Sequence, residues 1–547
     1  MRVDLVLENG RFFTGDARMP TTAAVAVLGN RIVARGEDAL ALETAERIDL
    51  RGRAVLPGFN DVHSHSVWFG TTLMEIDLSH VRALDELYAA IEQGIRQRAN
   101  PNPDEWIVAS GYNPALLQWQ VPDRDVLDRV CGGRPLWIKF SSGHACQLNG
   151  VALARIGVRD RVDSQPEGGR IVTDETGRAT GVLEEQAMSL VRDELLPAPI
   201  ATIDRALELA TAKYAEQGLT SVTDAGVAAG WIGNAPGELE GYQRALERGA
   251  LRTRMQVMPE IGALGLLPGH ADEPARRGLS GGLRTGWGDD RLQLGPVKVF
   301  TDGSILGRTA AIEEEYENCP GNHGYLQEDA DTLRSKVLEA YAGGWSLALH
   351  AVGDSALDLA LDIIEEGIGR FGRRAVPNRV EHGVVVRPDQ IERLARLQVV
   401  CVVQSSFIPA FGASVAGALG EKRVGWSIRA RSLLDAGLPL PLSSDRPVTA
   451  GLPLAGIQAY VERITEEGGA YNESERLSVD EAVHCATVGS AEATGQQHRK
   501  GRLIEGQLAD MVVLEEHPAE VPVSDIHAIP VLATLLGGAF THRTEQI

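Results

Sequence analysis

The sequence is short of cysteine, of aromatic residues and of positive charge, and each shortage narrows what the chain can be. Its five cysteines, Cys131, Cys146, Cys319, Cys401 and Cys485, are odd in number, widely spaced and never in a C-x-x-C pair. That argues against a disulfide framework or a zinc ribbon and fits a reducing compartment. Lysine and arginine total 53 against 75 aspartates and glutamates, a formal net charge of −22 in 547 residues. The charges are scattered rather than blocked, so the chain should repel nucleic acid and anionic membrane and stay soluble. The N-terminal MRVDLVLENG carries Asp4 and Glu8 and lacks the apolar core of a signal peptide, so a cytoplasmic location is expected. The aromatic content, 5%, says little about a pocket. A single uncharged stretch, residues 397–420, is long enough for a bilayer. It contains Gln404, Pro409 and several glycines, and is expected to be a buried strand followed by a loop.

What is present reads as an ordinary soluble composition, 44% hydrophobic and 23% charged. At about 100 to 200 residues per domain the length suggests roughly three structural units. The start (VDLVLENG, AAVAVLGNRIVARG, ERIDLRGRAVLPG) and the end (ADMVVLEEH, IPVLATLLGGAFTHR) share a pattern of short strands and turns, so residues 1–56 and 500–547 are expected to form one composite β-sandwich. Between them β-rich runs alternate with amphipathic helices, the pattern of βα units on a parallel sheet. Eight candidate strands, VLPGFNDVH, LTSVTDA, RTRMQVMP, LGPVKVFTD, SLALHAV, NRVEHGVV, QVVCVVQSS and LPLPLSSD, suggest an α/β fold, a (β/α)8 TIM-like barrel over 57–70 and 200–499. Helix periodicity after the fifth strand, with Leu357, Leu361 and Ile364 on one face, agrees. Residues 71–199 are an α+β insertion after the first barrel strand, of a size that usually carries function or covers a site.

The segment GFNDVHSHSVWFG, residues 58–70, sets two histidines one residue apart where a strand ends. Side chains alternate along a strand, so His63 and His65 point the same way, as does Asp61, and can close on one ion. Imidazole is the commonest metal ligand, yet an isolated H-x-H also reads as polar residues ending a strand. The decision rests on coincidence. In a barrel, catalytic groups occupy the C-terminal strand ends, and here those ends carry His63, His65, Lys298, His350, His382 and Asp445. Each alone has a bland reading, a core histidine or a strand terminator. Together they imply a divalent cation held by N and O donors, zinc first, with manganese, iron or nickel as alternatives. Glu381 flanks His382 with opposite parity and is expected to face away from the mouth as a structural residue. Lys298 is the odd member, since an ammonium repels a dication. It either binds substrate outside the metal shell, or faces the helices, or has reacted with carbon dioxide to give a carbamate, a reaction open to a desolvated lysine.

The ordered set His63-x-His65, Lys298, His350, His382 and Asp445, on expected strands one, four, five, six and eight, resembles the amidohydrolase superfamily of metal-dependent hydrolases. Longer strings, SSGHACQLN, GGRIVTDETGRATGVLEEQA, VKVFTDGSILGRTAA and ALHAVGDSALDLAL, resemble its N-substituted formamide deformylase-like branch. The resemblance implies that His63 and His65 bind one metal and His350 and His382 a second. It also implies a carbamylated Lys298 bridging them, with Asp445 beside the bridging hydroxide; relatives with one ion exist. Arg446 in SSDRPV stands where branch members commonly carry Trp, and SSGHA lacks the acidic residue that often precedes Gly-His; both lie near the expected substrate pocket.

An ion of this kind lowers the pKa of a water to about 7 and polarises a carbonyl, so the nucleophile comes from solvent. Asp445 is the expected general acid/base. His144, Asp302 and Arg308 are candidates for holding substrate, and Asp354 is expected to cap the next helix. The expected activity is hydrolysis of a non-peptide carbon–nitrogen bond in an amide or N-substituted formamide, the alternatives being an esterase or lactonase on the same site, or a non-catalytic scaffold or binding barrel. The expected partner is a small-molecule substrate; homo-oligomers are the common case, and family members often dimerise, which makes a homodimer the expectation.

Overall fold

A computed structural model describes residues 2–97, 104–118, 120–140, 145–166, 169–230 and 232–547. The chain divides into two compact units, Met1–Phe69 with Ile203–Ile547, and Gly70–Thr202.

The smaller unit is built on a six-stranded mixed sheet containing Ile107–Tyr112, Leu136–Phe140 and Ala145–Leu148 at its centre. Period-two alternation gives the sheet two apolar faces. Ile107, Ala109, Leu136 and Ile138 pack with Leu87 and Ile91 of the helix Leu84–Arg96, while Val108 and Trp137 join Leu148 and Leu183 in a separate cluster.

In the larger unit the strands β1 (Phe59–Ser64), β2 (Leu219–Val227) and β3 (Arg254–Pro259) pair in parallel, with Leu292–Leu294 beside β3. A second parallel sheet holds β4 (Val297–Phe300), β5 (Leu347–Ala351), β6 (Arg379–His382) and β7 (Val400–Val402). A parallel bridge between Glu260 and Lys298 links the two. Close approach of β1 to β2 requires Gly58, where a Cβ would collide with Thr220. Strands from the two ends of the chain share a sheet, Ala54–Pro57 pairing antiparallel with Met511–Leu514, and Leu5, Val25, Met511 and Leu535 fall in one apolar cluster.

Three expectations need correction. The eighth strand, LPLPLSSD, is not a regular strand, because Pro439 and Pro441 have no N–H to donate to a ladder. The segment nevertheless meets β1, through Val62 N to Leu442 O at 3.1 Å and Asp445 N to His63 O at 2.8 Å. In residues 397–420, the strand β7 is followed not by a loop but by a helix. Helix α1 (Ile200–Glu216) precedes β2, α2 (Asp354–Phe371) follows β5 and α3 (Phe407–Val424) follows β7. Pro409 lies in the first turn of α3, where a missing N–H breaks no helical bond. No helix among the described residues is long and apolar enough to cross a membrane. Lastly, the N-cap of α2 is Gly353, and Asp354 is its first residue; the Asp354 carboxylate instead accepts from Ser355 N at 3.1 Å and Glu313 N at 3.0 Å, and so ties a loop to the positive end of the helix.

Near the start of β1 a lysine is buried without an acidic hydrogen-bond partner among the described residues. Lys500 donates to Asn60 Oδ1 at 2.9 Å and to Ser221 Oγ, on β1 and β2. Burial pushes its ammonium down to about 7, whereas an unfolded chain holds lysine near 10.4. Between those values the unfolded state binds the additional proton, so stability falls as pH is lowered from about 10 to 7 and levels off below. Urea unfolding of the wild type should therefore show a midpoint that drops between about pH 9.5 and pH 7, and Lys500→Met should remove that part of the drop. An identical pH dependence in the two proteins would mean that Lys500 is not held neutral.

Candidate metal centre

The period of two in β1 separates its side chains as the sequence implies. Val62 packs with Val400 and Val402, while Asp61 and His63 turn to polar partners. Asp61 accepts from His63 N at 3.1 Å and from Ser444 N at 3.2 Å; burial pushes its carboxyl up to about 6. His63 and His65 lie side by side, their ring centroids 5.4 Å apart, and both face Asp445. Oδ1 of Asp445 is 2.9 Å from His65 Nε2 and 3.4 Å from His63 Nε2. His382 adjoins His63 at 4.8 Å between centroids, and His350 adjoins His382 at 4.5 Å. All four rings are in one cluster.

Hydrogen bonding at the outer nitrogens assigns the tautomers. His63 Nδ1 donates to Glu381 Oε2 at 2.5 Å, so the neutral ring has its lone pair on Nε2, which has no hydrogen-bond partner; burial and Lys298 oppose protonation of this ring, but Asp445 and Glu381 raise it above the ordinary imidazole value. His350 Nε2 donates to the Gly303 carbonyl at 3.1 Å, so its unpartnered Nδ1 carries the lone pair. His382 Nδ1 donates to Gln404 Oε1 at 2.9 Å, and the Gln404 amide is oriented by giving its own protons to Val402 O and Ser443 Oγ. Burial, helped by the charge of Lys298, pushes His350 down to about 3; burial and then His350 hold His382 well below the usual imidazole range. Both rings are neutral, the form a metal ligand needs. Asp445 stays ionised: burial opposes this, but His63 and His65 hold its carboxyl well below the ordinary carboxylate value.

Lys298, 1% exposed, lies with Nζ 4.9 Å from the Phe300 ring centroid, and its amine makes no hydrogen bond among the described residues. Burial pushes it down to about 8. The inward nitrogens of His63, His350 and His382, with His65 Nε2 set against an ionised carboxylate, fit a divalent cation. The pairs at 2.9 and 3.4 Å match the spacing of about 3.3 Å between ligand atoms each about 2.0 Å from a tetrahedral ion. Among the described residues, His63, His65 and Asp445 form a group whose ligand atoms lie within 4.8 Å of one another.

Two of these positions depend on unusual backbone. His382 and Asp445 have φ of 75° and 56°, in the left-handed region that costs a side-chain-bearing residue energy. At His382 this overturns the parity expected from sequence. Glu381 does not face away: from β6 it reaches His63 on β1, and the left-handed turn brings the next residue, His382, to the same cluster. Gly383 follows at φ 48°, where a Cβ would meet Cys401 Sγ.

Residues 46–542 match the amidohydrolase family. The chain belongs to that family, and with it to the hydrolases. Its α/β, TIM-barrel-type fold agrees with that membership. This amidohydrolase is 30% identical over 504 residues to the Bacillus subtilis (strain 168) protein YtcJ, an amidohydrolase by name, covering 91% of this chain and 90% of YtcJ. It is 27% identical to the N-substituted formamide deformylase of Arthrobacter pascens, over 99% of this chain and 98% of that protein. A crystal structure of an uncharacterized metal-dependent hydrolase from Pyrococcus furiosus superposes with a TM-score of 0.75 at 25% identity, covering 94% of this chain and 99% of that one.

The remaining site candidates of this amidohydrolase fare differently. His144 lies outside the described residues. Arg308, at φ 52°, turns its guanidinium onto Cys319 within its own loop. Arg446 is not directed at the histidines: its guanidinium is 3.8 Å from the Phe69 ring centroid and gives a proton to Gln217 at 2.7 Å, beside Tyr214 of α1. Asp302, 1% exposed, accepts from the backbone N–H of Ala311, Val352 and Gly353 at 3.1, 3.1 and 2.9 Å. It therefore staples the loop after β4 to the end of β5, which carries His350. Gln404, Arg379 and the Gly303 carbonyl were not identified from sequence; only Gln404, at a strand end, carried a signal that could have found it.

Asp302→Ala leaves three buried donors unpaired, each worth about 1–3 kcal/mol, so it should lower unfolding free energy by about 3 kcal/mol or more, measured by urea denaturation. A raised KM at unchanged stability would instead assign Asp302 to substrate.

Proposed function

We propose that this amidohydrolase cleaves a carbon–nitrogen bond other than a peptide bond, in an amide or an N-substituted formamide. The work is done at one or two divalent ions, zinc first, held by His63, His65, His350, His382 and Asp445, with Lys298 carried as a carbamate. The observation that carries this reading is the Asp445 carboxylate set between the Nε2 atoms of His63 and His65, 3.4 and 2.9 Å away.

A divalent ion here supplies Lewis-acid chemistry, lowering the pKa of a water toward about 7 and polarising the substrate carbonyl. Asp445, kept ionised by His63 and His65, takes the proton of the attacking water and returns it to the leaving nitrogen as the C–N bond breaks. Acid and amine leave, and the carboxylate is regenerated. Lys298 is supported as a carbamate because burial favours its neutral amine, the form that adds carbon dioxide, and because the product is an anion where an ammonium would repel the ions. Trp68, Phe300 and Phe407, all half-buried, stand 5.8, 5.4 and 6.1 Å from His65, His350 and His382 between ring centroids, which supports an apolar substituent on the substrate. The name of the Arthrobacter pascens relative supports a formamide. A cytoplasmic homodimer acting on a small molecule completes the proposal.

Metal analysis and a panel of amides, formamides, esters and lactones test it. One or two ions per chain and turnover of amides or formamides are expected, with Asp445→Asn lowering kcat by about 10²- to 10⁴-fold while most of the metal is retained. Turnover of esters or lactones alone would replace the proposed bond, a metal-free and inert protein would favour a scaffold, and full activity of Asp445→Asn would remove the assigned proton carrier.

A further inference from the structure

We propose that Glu381, braced by Arg379, is the positioning residue that aims the Nε2 lone pair of His63 into the metal centre. This role rests on the metal centre of the proposed function. Both residues are fully buried and they form a two-pronged ion pair, Arg379 Nε to Glu381 Oε1 and Nη2 to Oε2, each at 2.8 Å. Oε2 also accepts the Nδ1 proton of His63 at 2.5 Å. The same Nη2 donates to the carbonyl of Val62 at 2.8 Å. One guanidinium thus holds the backbone just before His63 and the carboxylate that grips its ring, so the peptide and the imidazole are referenced to a single rigid group.

The four histidines are not supported alike. His350 gives its outer proton to a backbone carbonyl and His382 to a neutral amide, while the outer nitrogen of His65, Nδ1, has no partner. His63 gives its outer proton to a carboxylate; Asp302 Oδ1 lies 3.5 Å from the outer nitrogen of His350, but that ring gives its proton to the Gly303 carbonyl. An anionic acceptor makes an imidazole the stronger donor to a cation. A buried ion pair is a poor way to gain stability, because desolvation offsets the attraction; Arg379 Nη1 even remains unpartnered. Its contact with His63 is what an apolar pair could not replace.

The test uses the full chain with three readouts: ¹⁵N imidazole spectra of metal-free protein at a pH high enough that His63 is neutral, zinc affinity by chelator competition, and thermal melting. In the double variant Arg379→Met with Glu381→Met no charge is left unpaired, so melting should stay near that of the wild type. His63 should lose its single Nδ1–H tautomer, and zinc should bind about 10- to 100-fold more weakly. Glu381→Gln, which keeps an acceptor but not the charge, should restore the tautomer and recover part of the affinity. A double variant that binds zinc as tightly as the wild type, with His63 still in one tautomer, overturns the role of Glu381. A wild type that takes up no divalent ion overturns the metal centre instead, and the metal-free spectra still decide whether Glu381 orients His63.

Discussion

Charged and polar groups removed from water cost several kcal/mol each unless something replaces the lost hydration, and this chain buries Asp61, His63, His65, Lys298, Glu381, His382 and Asp445 together, with His350 half-buried beside them. Their coexistence depends on reciprocal pairing. Glu381 is compensated by Arg379 and His63, Asp445 by His63 and His65, and Asp61 by Ser444 and the His63 backbone. His63 meets a carboxylate at each nitrogen, whereas His350 and His382 use one side of the ring and keep the other nitrogen for the shared cluster. Lys298 alone lacks such compensation, and burial answers by favouring its neutral amine.

The backbone bears part of the cost. Left-handed conformations at His382 and Asp445 persist only where the surroundings over-determine them. At Asp445 the N–H bonds to His63 O, and His65 N bonds to Arg446 O, so the irregular, proline-bearing segment is pinned by the very strand whose histidines its carboxylate meets. At His382 the adjoining Gly383 leaves open the space that a Cβ would take from Cys401 Sγ.

β1 ties these features together. Six residues long, it carries Asn60 toward Lys500 and Thr487 near one end and His63 toward the metal centre at the other. Arg379 and the segment around Leu442 hold its backbone between them. A displacement of this strand would disturb the polar pairs at both ends at once, which is why Gly58, allowing β2 its close approach, and the guanidinium of Arg379 have consequences beyond their own contacts.

Sequence alone determined the features that short-range periodicity and residue chemistry dictate: that His63 and His65 share a face, that parallel βα units run through the larger part of the chain, and that nitrogen and oxygen donors recur at strand ends. It misjudged the features that depend on neighbours distant in the chain. Alternation put Glu381 on the wrong side because a single left-handed residue breaks the period of two. Asp354 reads as a cap when its partner is Glu313, and the uncharged tail after β7 gave no sign of helix because its glycines and Pro409 read as loop. Arg446 belongs near the expected substrate pocket by sequence order, and only Phe69 and Gln217 show where it packs. Whether a strand-end side chain supports, ligates or merely fills is decided by tertiary structure, since only packing fixes which nitrogen of each ring keeps its proton.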